Sequence, residues 1–128
     1  MKEGLKIQHS FTVSEKVYDG FQSIFQDKNI LHTNPEYAKS KGFTDKVMYG
    51  NILNGFLSYF VGELLPLENV IIHKQEISFH NPVYLNEIID LKATLKEKYE
   101  LVNSYLFSFK FYVADKVVAK GKIQIGTI

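Results

Sequence analysis

The second half of the chain contains four segments in which apolar and polar residues alternate. The apolar members fall at every second position: 77 and 79, 89 to 95, 105 to 111, and 117 to 125. A period of two is typical of β-strands that bury one face. The short connections at residues 81–87, 97–101 and 114–116 predict an antiparallel meander, and a further strand at residues 5–13 is available to pair at an edge.

One long apolar segment, Gly50 to Leu65, precedes these strands and ends before Pro66. Apolar residues occur on almost every side of it, which is typical of a helix buried in a protein core. A narrow stripe of small or polar residues would permit close backbone approach or line a channel: Asn51, Asn54 or Gly55, Ser58 and Gly62. One sheet and one buried helix predict an α+β fold, in which an antiparallel β-sheet wraps around a long central α-helix.

The segment from Asp27 to His32 carries the residues best suited to acid and base chemistry. Helices are predicted on either side of it, one capped by Ser14 and a short one begun by Asn34-Pro35 and ended by Gly42. On a helix, a five-residue separation would turn Asp27 and His32 about 140° apart. We therefore predict a loop between them.

Composition limits the class of protein. A chain of 128 residues fits a single domain over residues 1–128, and the absence of cysteine excludes disulfides, thiolate nucleophiles and cysteine zinc sites. The formal net charge is +1 and the lysines are scattered along the strands, so charge gives no argument for a nucleic acid or membrane partner. Without a signal peptide or membrane span, we expect a soluble cytoplasmic protein. The histidines at positions 9, 73 and 80 are not spaced to form a metal site with His32.

Three groups of residues together resemble a known family, the (R)-specific enoyl-CoA hydratases or MaoC-like dehydratases of the hotdog fold. Asp27, Asn29 and His32, with Ala38 six residues later, are similar to one family element. Tyr49-Gly50, with Ser58 eight residues after the glycine, resembles the family's His-Gly pair at the start of the central helix. Phe79 to Val83 and Asn86-Glu87 resemble its Phe-x-x-Pro-Val segment and Gly-Asp turn, so the resemblance covers about residues 25–90.

Three departures from the family pattern accompany this resemblance. Ile30 replaces a proline, which leaves the loop less rigid but removes no chemical group. Tyr49 replaces the histidine before Gly50 and alters a contact near the site. Asn86-Glu87 replaces Gly-Asp, and Asn tolerates a left-handed turn.

The resemblance implies reversible addition of water to a trans-2-enoyl thioester, carried on coenzyme A or acyl carrier protein, without a metal or other cofactor. Asp27 and His32 would hold one water and divide two proton transfers between them, while Asn29 orients the loop or the water. The Gly50 amide, at the start of the central helix, would stabilise the enolate-like thioester oxygen. The resemblance also implies a homodimer with its two sheets joined edge to edge.

The remaining site predictions concern substrate binding. Asn51 and Ser58 lie on the small stripe, which is expected to line a channel beside the helix. By resemblance, Ser58 bonds to the catalytic groups or lines the acyl channel. Tyr49 is either a hydrogen-bond donor to the thioester in place of the family histidine or a packed aromatic. Structural roles are the alternatives: a turn cap for Asp27, an ordinary loop histidine at position 32, a turn glycine at position 50, and helix packing for Ser58.

Two other functions compete with the hydratase. A hotdog thioesterase would hydrolyse the thioester, and the complete Asp27, Asn29 and His32 element argues against it. A non-catalytic acyl-thioester-binding subunit would keep the fold without turnover, and only the substitution at Tyr49 favours it.

Overall fold

A computed structural model of the chain, which describes all residues 1–128, contains one five-stranded antiparallel sheet. Its strands lie where the alternating segments predict them: β1 (Lys6–Thr12), β2 (Val70–Phe79), β3 (Ile88–Tyr99), β4 (Ser104–Val113) and β5 (Lys116–Thr127). Their spatial order is β1-β3-β4-β5-β2. The meander prediction is therefore right for β3, β4 and β5 but wrong for β2, which pairs with β5 instead of β3.

The position of β1 explains this difference. β1 pairs with β3 along its whole length and occupies the edge beside it. The connection after β2, residues 80–87, must then cross three strand spacings, about 14 Å. Eight extended residues span up to about 27 Å, so the connection is long enough to cross. Sequence alternation locates strands without specifying such long-range partners.

Four helices complete the fold: α1 (Glu15–Phe25), α2 (Ile30–Thr33), α3 (Pro35–Ser40) and α4 (Asn51–Tyr59), the last continuing as a π-helical turn over Phe60–Leu64. The predicted caps are confirmed, because the Ser14 hydroxyl accepts the Val17 N–H at 3.2 Å and the Asn34 side chain accepts the Tyr37 N–H at 3.0 Å. None of the helices is both long enough and apolar enough to cross a membrane.

The core forms where α4 packs against one face of the sheet, which confirms the α+β fold. Ile52, Leu53 and Leu57 are buried, and the ring of Phe60 meets that of Phe107 edge-on at 5.3 Å. The opposite side of the helix is exposed, including the predicted stripe at Asn51, Gly55, Ser58 and Gly62. The prediction of burial on nearly every side is therefore wrong for the single chain, which covers α4 on one side only.

Replacing Gly121 with alanine is expected to destabilise the fold by about 3 kcal/mol. A Cβ at this position in β5 would lie 1.8 Å from the Glu76 carbonyl oxygen and 2.9 Å from the Phe109 ring, so the strands would have to separate. Gly20→Ala in α1 is the control, because its Cβ would meet no atom within 4 Å. Urea unfolding of both variants measures the difference; equal midpoints would contradict the close strand approach.

Candidate active site

The Asp27 to His32 segment is held by local hydrogen bonds. One Asp27 carboxylate oxygen accepts the Asn29 N–H at 3.0 Å, and the Asn29 side-chain oxygen accepts the Leu31 N–H at 3.1 Å. Asn29 is thus the N-cap of the single helical turn α2. The prediction of a loop throughout this segment is wrong, because His32 lies within that turn.

His32 has one ring nitrogen committed to the backbone. Its Nδ1 lies 2.6 Å from the carbonyl oxygen of Val47. A carbonyl oxygen only accepts, so Nδ1 carries the proton. In the neutral imidazole, Nε2 then has a lone pair available to accept a proton or a water hydrogen bond.

Tyr49 touches both halves of the Asp27 to His32 segment. Its side chain is 2% exposed, its hydroxyl donates to the Asp27 carbonyl oxygen at 2.8 Å, and its ring lies 4.4 Å from the His32 ring. Burial, with a smaller contribution from the Asp27 carboxylate, raises the pKa of the Tyr49 hydroxyl. Tyr49 is therefore a packed aromatic whose neutral hydroxyl holds the backbone at Asp27.

Tyr18 makes a second backbone attachment, which no pattern in the sequence indicates. Its hydroxyl lies 2.5 Å from the His32 carbonyl oxygen and 3.0 Å from that of Val47, and it donates to this pair of acceptors. Burial, and then the nearby Tyr49, raises the pKa of the Tyr18 hydroxyl. Tyr18 is the only buried residue of α1, but helical spacing gave no signal that its hydroxyl reaches this loop.

These two tyrosines predict a loss of stability at alkaline pH. Each keeps its proton in the folded state above the ordinary tyrosine pKa of about 10, whereas the unfolded chain releases it there. The free energy of unfolding should therefore fall as pH rises past about 10. Tyr18→Phe should flatten this fall in urea titrations, whereas Tyr37→Phe, whose hydroxyl makes no hydrogen bond within the chain, should leave it unchanged. Identical pH profiles for wild type and Tyr18→Phe would contradict this assignment.

Gly50 caps α4 and presents its backbone N–H at the start of that helix. No hydrogen bond within the chain uses this amide. Beside it lies an open depression of about 500 Å³ whose lining includes Gly50, Asn51 and Phe79. A Cβ on Gly50 would lie 3.0 Å from the Phe79 ring, so a side chain here would fill space next to the free amide.

A second, more apolar groove of about 1040 Å³ runs between α1 and α4. Phe21, Ile24 and Phe56 contribute apolar walls, and Asp27 and Asn51 also line it. Asn51 belongs to both the groove and the depression at Gly50. Asp27 and Gly50 therefore line two different spaces, which share Asn51 in their walls.

Other predicted site residues are not brought together in this way. No hydrogen bond or ion pair joins the Asp27 carboxylate to the His32 ring. Ser58 is exposed, its hydroxyl forms no hydrogen bond within the chain, and it lines neither space. The catalytic and substrate-binding roles thus stay predictions, although the elements that carry most of these residues adjoin.

An antiparallel sheet around a central helix, with the start of that helix beside a groove, defines a hotdog domain. The family model described as MaoC like domain matches residues 1–107. The chain therefore belongs to the MaoC-like family.

Named relatives and solved structures agree with this assignment. An (R)-specific enoyl-CoA hydratase of Rhodospirillum rubrum is 27% identical over 98% of this chain and 87% of its own length. A mitochondrial 3-hydroxyacyl-[acyl-carrier-protein] dehydratase of Arabidopsis thaliana is 24% identical over 85% of this chain and 64% of its own. The structure of the (R)-hydratase from A. caviae involved in PHA biosynthesis shares the fold, with a TM-score of 0.91, 19% identity, and coverage of 100% of this chain and 98% of that one.

Proposed function

We propose that this protein is an (R)-specific enoyl-thioester hydratase, a hydro-lyase that adds water reversibly to a trans-2-enoyl thioester. The observation that carries the proposal is the unused Gly50 amide at the start of α4, beside the Asp27 to His32 segment. Tyr49 immediately precedes that amide and bonds to the Asp27 backbone. Proton-transfer groups and an anion-stabilising donor therefore belong to one connected part of the fold.

Asp27 and His32 perform the proton transfers in this proposal. Water oxygen bonds to C3 of the enoyl group while a proton is added at C2, so one group takes a proton from water and a proton returns to carbon. His32 suits this task because Nδ1 is committed to Val47 and Nε2 is left with a lone pair. In the proposed reaction, one water lies between the His32 ring and the Asp27 carboxylate.

The Gly50 amide stabilises the negative charge that develops on the thioester oxygen. Attack at C3 moves electrons through C2 to that oxygen, and protonation at C2 returns them. The amide N–H donates a hydrogen bond to this oxygen, and it lies at the positive end of the α4 dipole. Glycine places no side chain beside this amide, and the Phe79 ring leaves no relaxed position for a Cβ there.

The groove between α1 and α4 holds the acyl chain in this proposal. Its walls include Phe21 and Phe56, and the Asp27 carboxylate lies on its lining. Asn51, shared with the depression at Gly50, contacts the thioester end of the substrate. Asn29 and Tyr49 act by holding the Asp27 segment, whereas Ser58, further along α4, contacts the substrate or the facing subunit.

The names of the relatives support this chemistry. One is an (R)-specific enoyl-CoA hydratase and another a dehydratase of 3-hydroxyacyl groups on acyl carrier protein. Hydration and dehydration are opposite directions of one reaction. The substrate of this protein is therefore an acyl thioester of coenzyme A or of acyl carrier protein, and the cytoplasmic location predicted from the sequence is part of the proposal.

Incubation with crotonyl-CoA tests the reaction. The proposal expects the absorbance of the conjugated alkene to fall without release of free thiol. Thiol release would instead identify a thioesterase, and no change in either signal would identify an acyl-thioester-binding subunit. Chiral analysis of the product should give the (R)-3-hydroxyacyl thioester.

A homodimer joined through β2 is the proposed assembly. β2 is a ten-residue edge strand, and its exposed large apolar side chains include Ile71, Ile72 and Phe79. The other edge, β1, exposes Lys6, Gln8 and Ser10 instead. An uncovered apolar edge favours pairing with another strand. Light scattering should give the mass of two chains, and Ile72→Lys should shift it toward one; a monomeric wild type would contradict the assembly.

A further inference from the structure

The outer face of the sheet gathers lysines that look scattered in the sequence. Six of them line one broad, open depression of about 970 Å³ on this face, and all six are exposed: Lys6, Lys92, Lys96, Lys110, Lys120 and Lys122. They come from four strands, and alternation directs them to the side opposite the core. Charge along the sequence gives no argument for a nucleic acid or membrane partner, but pairing of the strands creates a patch that linear spacing hides. We call this surface the lysine face.

Charge on the lysine face is strongly unbalanced. Six lysines share its lining with one carboxylate, Glu76, a formal charge of +5, whereas the whole chain carries +1. Glu76 is already paired with Lys74 at 2.9 Å. None of the six lysines forms an ion pair, since the ion pairs of the chain involve Lys39, Lys74 and Lys98.

Three of these lysines form a row that opposes the stability of the sheet. Lys92 of β3 stands directly opposite Lys110 of β4, which stands directly opposite Lys120 of β5. Like charges at directly opposed positions destabilise a sheet. Folding alone therefore gives no reason for this row, and a negatively charged partner would relieve its repulsion.

The extent of the face favours an acidic protein as the partner. The face spans all five strands, from Lys6 of β1 to Glu76 of β2, a width of about 19 Å at the usual spacing of strands. Its lysines are distributed over four of these strands, whereas a small-molecule site places a few polar groups around one ligand. The width and charge of the face therefore fit the carboxylate-rich surface of a protein.

The position of the face connects it to the candidate active site. Lys120 pairs with Ser78 at the end of β2. The next residue, Phe79, points to the other side of the strand, where its ring lies beside Gly50. The following residues, 80–83, line the depression at Gly50. A partner on the lysine face therefore lies one sheet thickness from that depression and can reach it around the end of β2.

We propose that the lysine face is the docking surface for an acidic acyl carrier protein that delivers the thioester to the site. This inference rests on the proposed function, because it names the carrier of that function's substrate. Attraction between the face and carboxylates of the carrier raises the rate of encounter and weakens as ionic strength rises.

Two triple variants test the docking surface. Lys92→Glu with Lys110→Glu and Lys120→Glu reverses the charge of the row, and the same three positions changed to Thr remove the charge with a residue that favours strands. Both should raise KM for a crotonyl group on acyl carrier protein by about tenfold or more. Both should leave kcat/KM for crotonyl-CoA within about twofold of wild type. The control is Lys2→Glu with Lys39→Glu and Lys41→Glu. It changes the net charge by the same amount as the first variant, but outside the face, and it should keep the wild-type KM for both substrates.

Direct binding and stability separate the possible failures. Fluorescence anisotropy of labelled carrier protein measures docking even if no substrate is turned over, so loss of the proposed reaction does not decide this inference. The Thr variant should unfold at higher urea than wild type while binding the carrier more weakly, which a purely structural role of the lysines would not produce. Equal carrier binding by all variants would overturn the proposal, as would an equal rise in KM for crotonyl-CoA. Binding of duplex DNA as tightly as the carrier protein would also overturn it, because the face would then bind any polyanion.

Discussion

Asp27→Asn and His32→Ala are each expected to lower kcat for crotonyl-CoA hydration by about 10²- to 10⁴-fold, the range of a lost acid or base catalyst. Asparagine keeps the side-chain oxygen that accepts the Asn29 N–H, so the loop should stay in place. What it loses is the ability to accept a proton. Alanine at position 32 removes the Nε2 lone pair together with the Nδ1 bond to Val47.

Steady-state kinetics and thermal unfolding distinguish catalysis from folding in these variants. Asp45→Asn is the matched control, because Asp45 also accepts a local backbone N–H, that of Lys46 at 2.7 Å. It should retain wild-type kcat. If Asp27→Asn and His32→Ala both fold and keep kcat within about threefold of wild type, the assignment of the proton-transfer groups is wrong.

Gly50→Ala should lower kcat/KM by about 10²- to 10³-fold, as expected when a methyl group keeps the substrate from an oxyanion donor. The backbone of Gly50 has φ −56° and ψ −35°, which alanine adopts without strain. Its Cβ, however, would lie 3.0 Å from the Phe79 ring and beside the amide that the thioester oxygen must reach. The expected result is a folded protein with a slow chemical step.

Two further variants show whether the amide or the ring accounts for the loss. Gly62→Ala lies in the π-helical turn that continues the same helix, outside the groove, and its Cβ would meet no atom within 4 Å, so kcat/KM should stay near that of wild type. Adding Phe79→Leu to Gly50→Ala relieves the contact with the ring but leaves the methyl group beside the amide. Recovery of wild-type activity in that double variant would contradict the oxyanion role and attribute the loss to crowding.

Much of this fold can be predicted from the sequence, because strands and helix caps are indicated by residues that are close together in the chain. Alternation located all four strands of the second half, and the caps at Ser14 and Asn34 were visible as single residues before helical segments. The partner of β2 was not visible, since it depends on β1 occupying the distant edge of the sheet. The exposure of one side of α4 could not be predicted for a similar reason. The apolar composition of the helix does not show how much of its surface the sheet of one chain buries.

The candidate site likewise contains residues that the sequence indicates and contacts that it does not. Asp27, Asn29 and His32 were found as residue types at a short spacing, and Gly50 as the start of an apolar helix. The support for them comes from Tyr18 and Tyr49, whose hydroxyls reach backbone carbonyls 14 to 29 residues away. A backbone acceptor has no side-chain signature, so no sequence pattern marks such contacts. The lysine face arises from register, which joins residues that alternation alone keeps separate.

Asp27, His32 and the Gly50 amide are proposed to act on one thioester. A crystal structure of Asp27→Asn with bound crotonyl-CoA tests this directly, because the variant keeps the loop while slowing turnover. The thioester oxygen should lie within hydrogen-bonding distance of the Gly50 N–H, with C3 facing the side chains at positions 27 and 32 and the acyl chain between α1 and α4. A thioester bound away from the Gly50 amide, or with C3 turned away from both side chains, would contradict the claim.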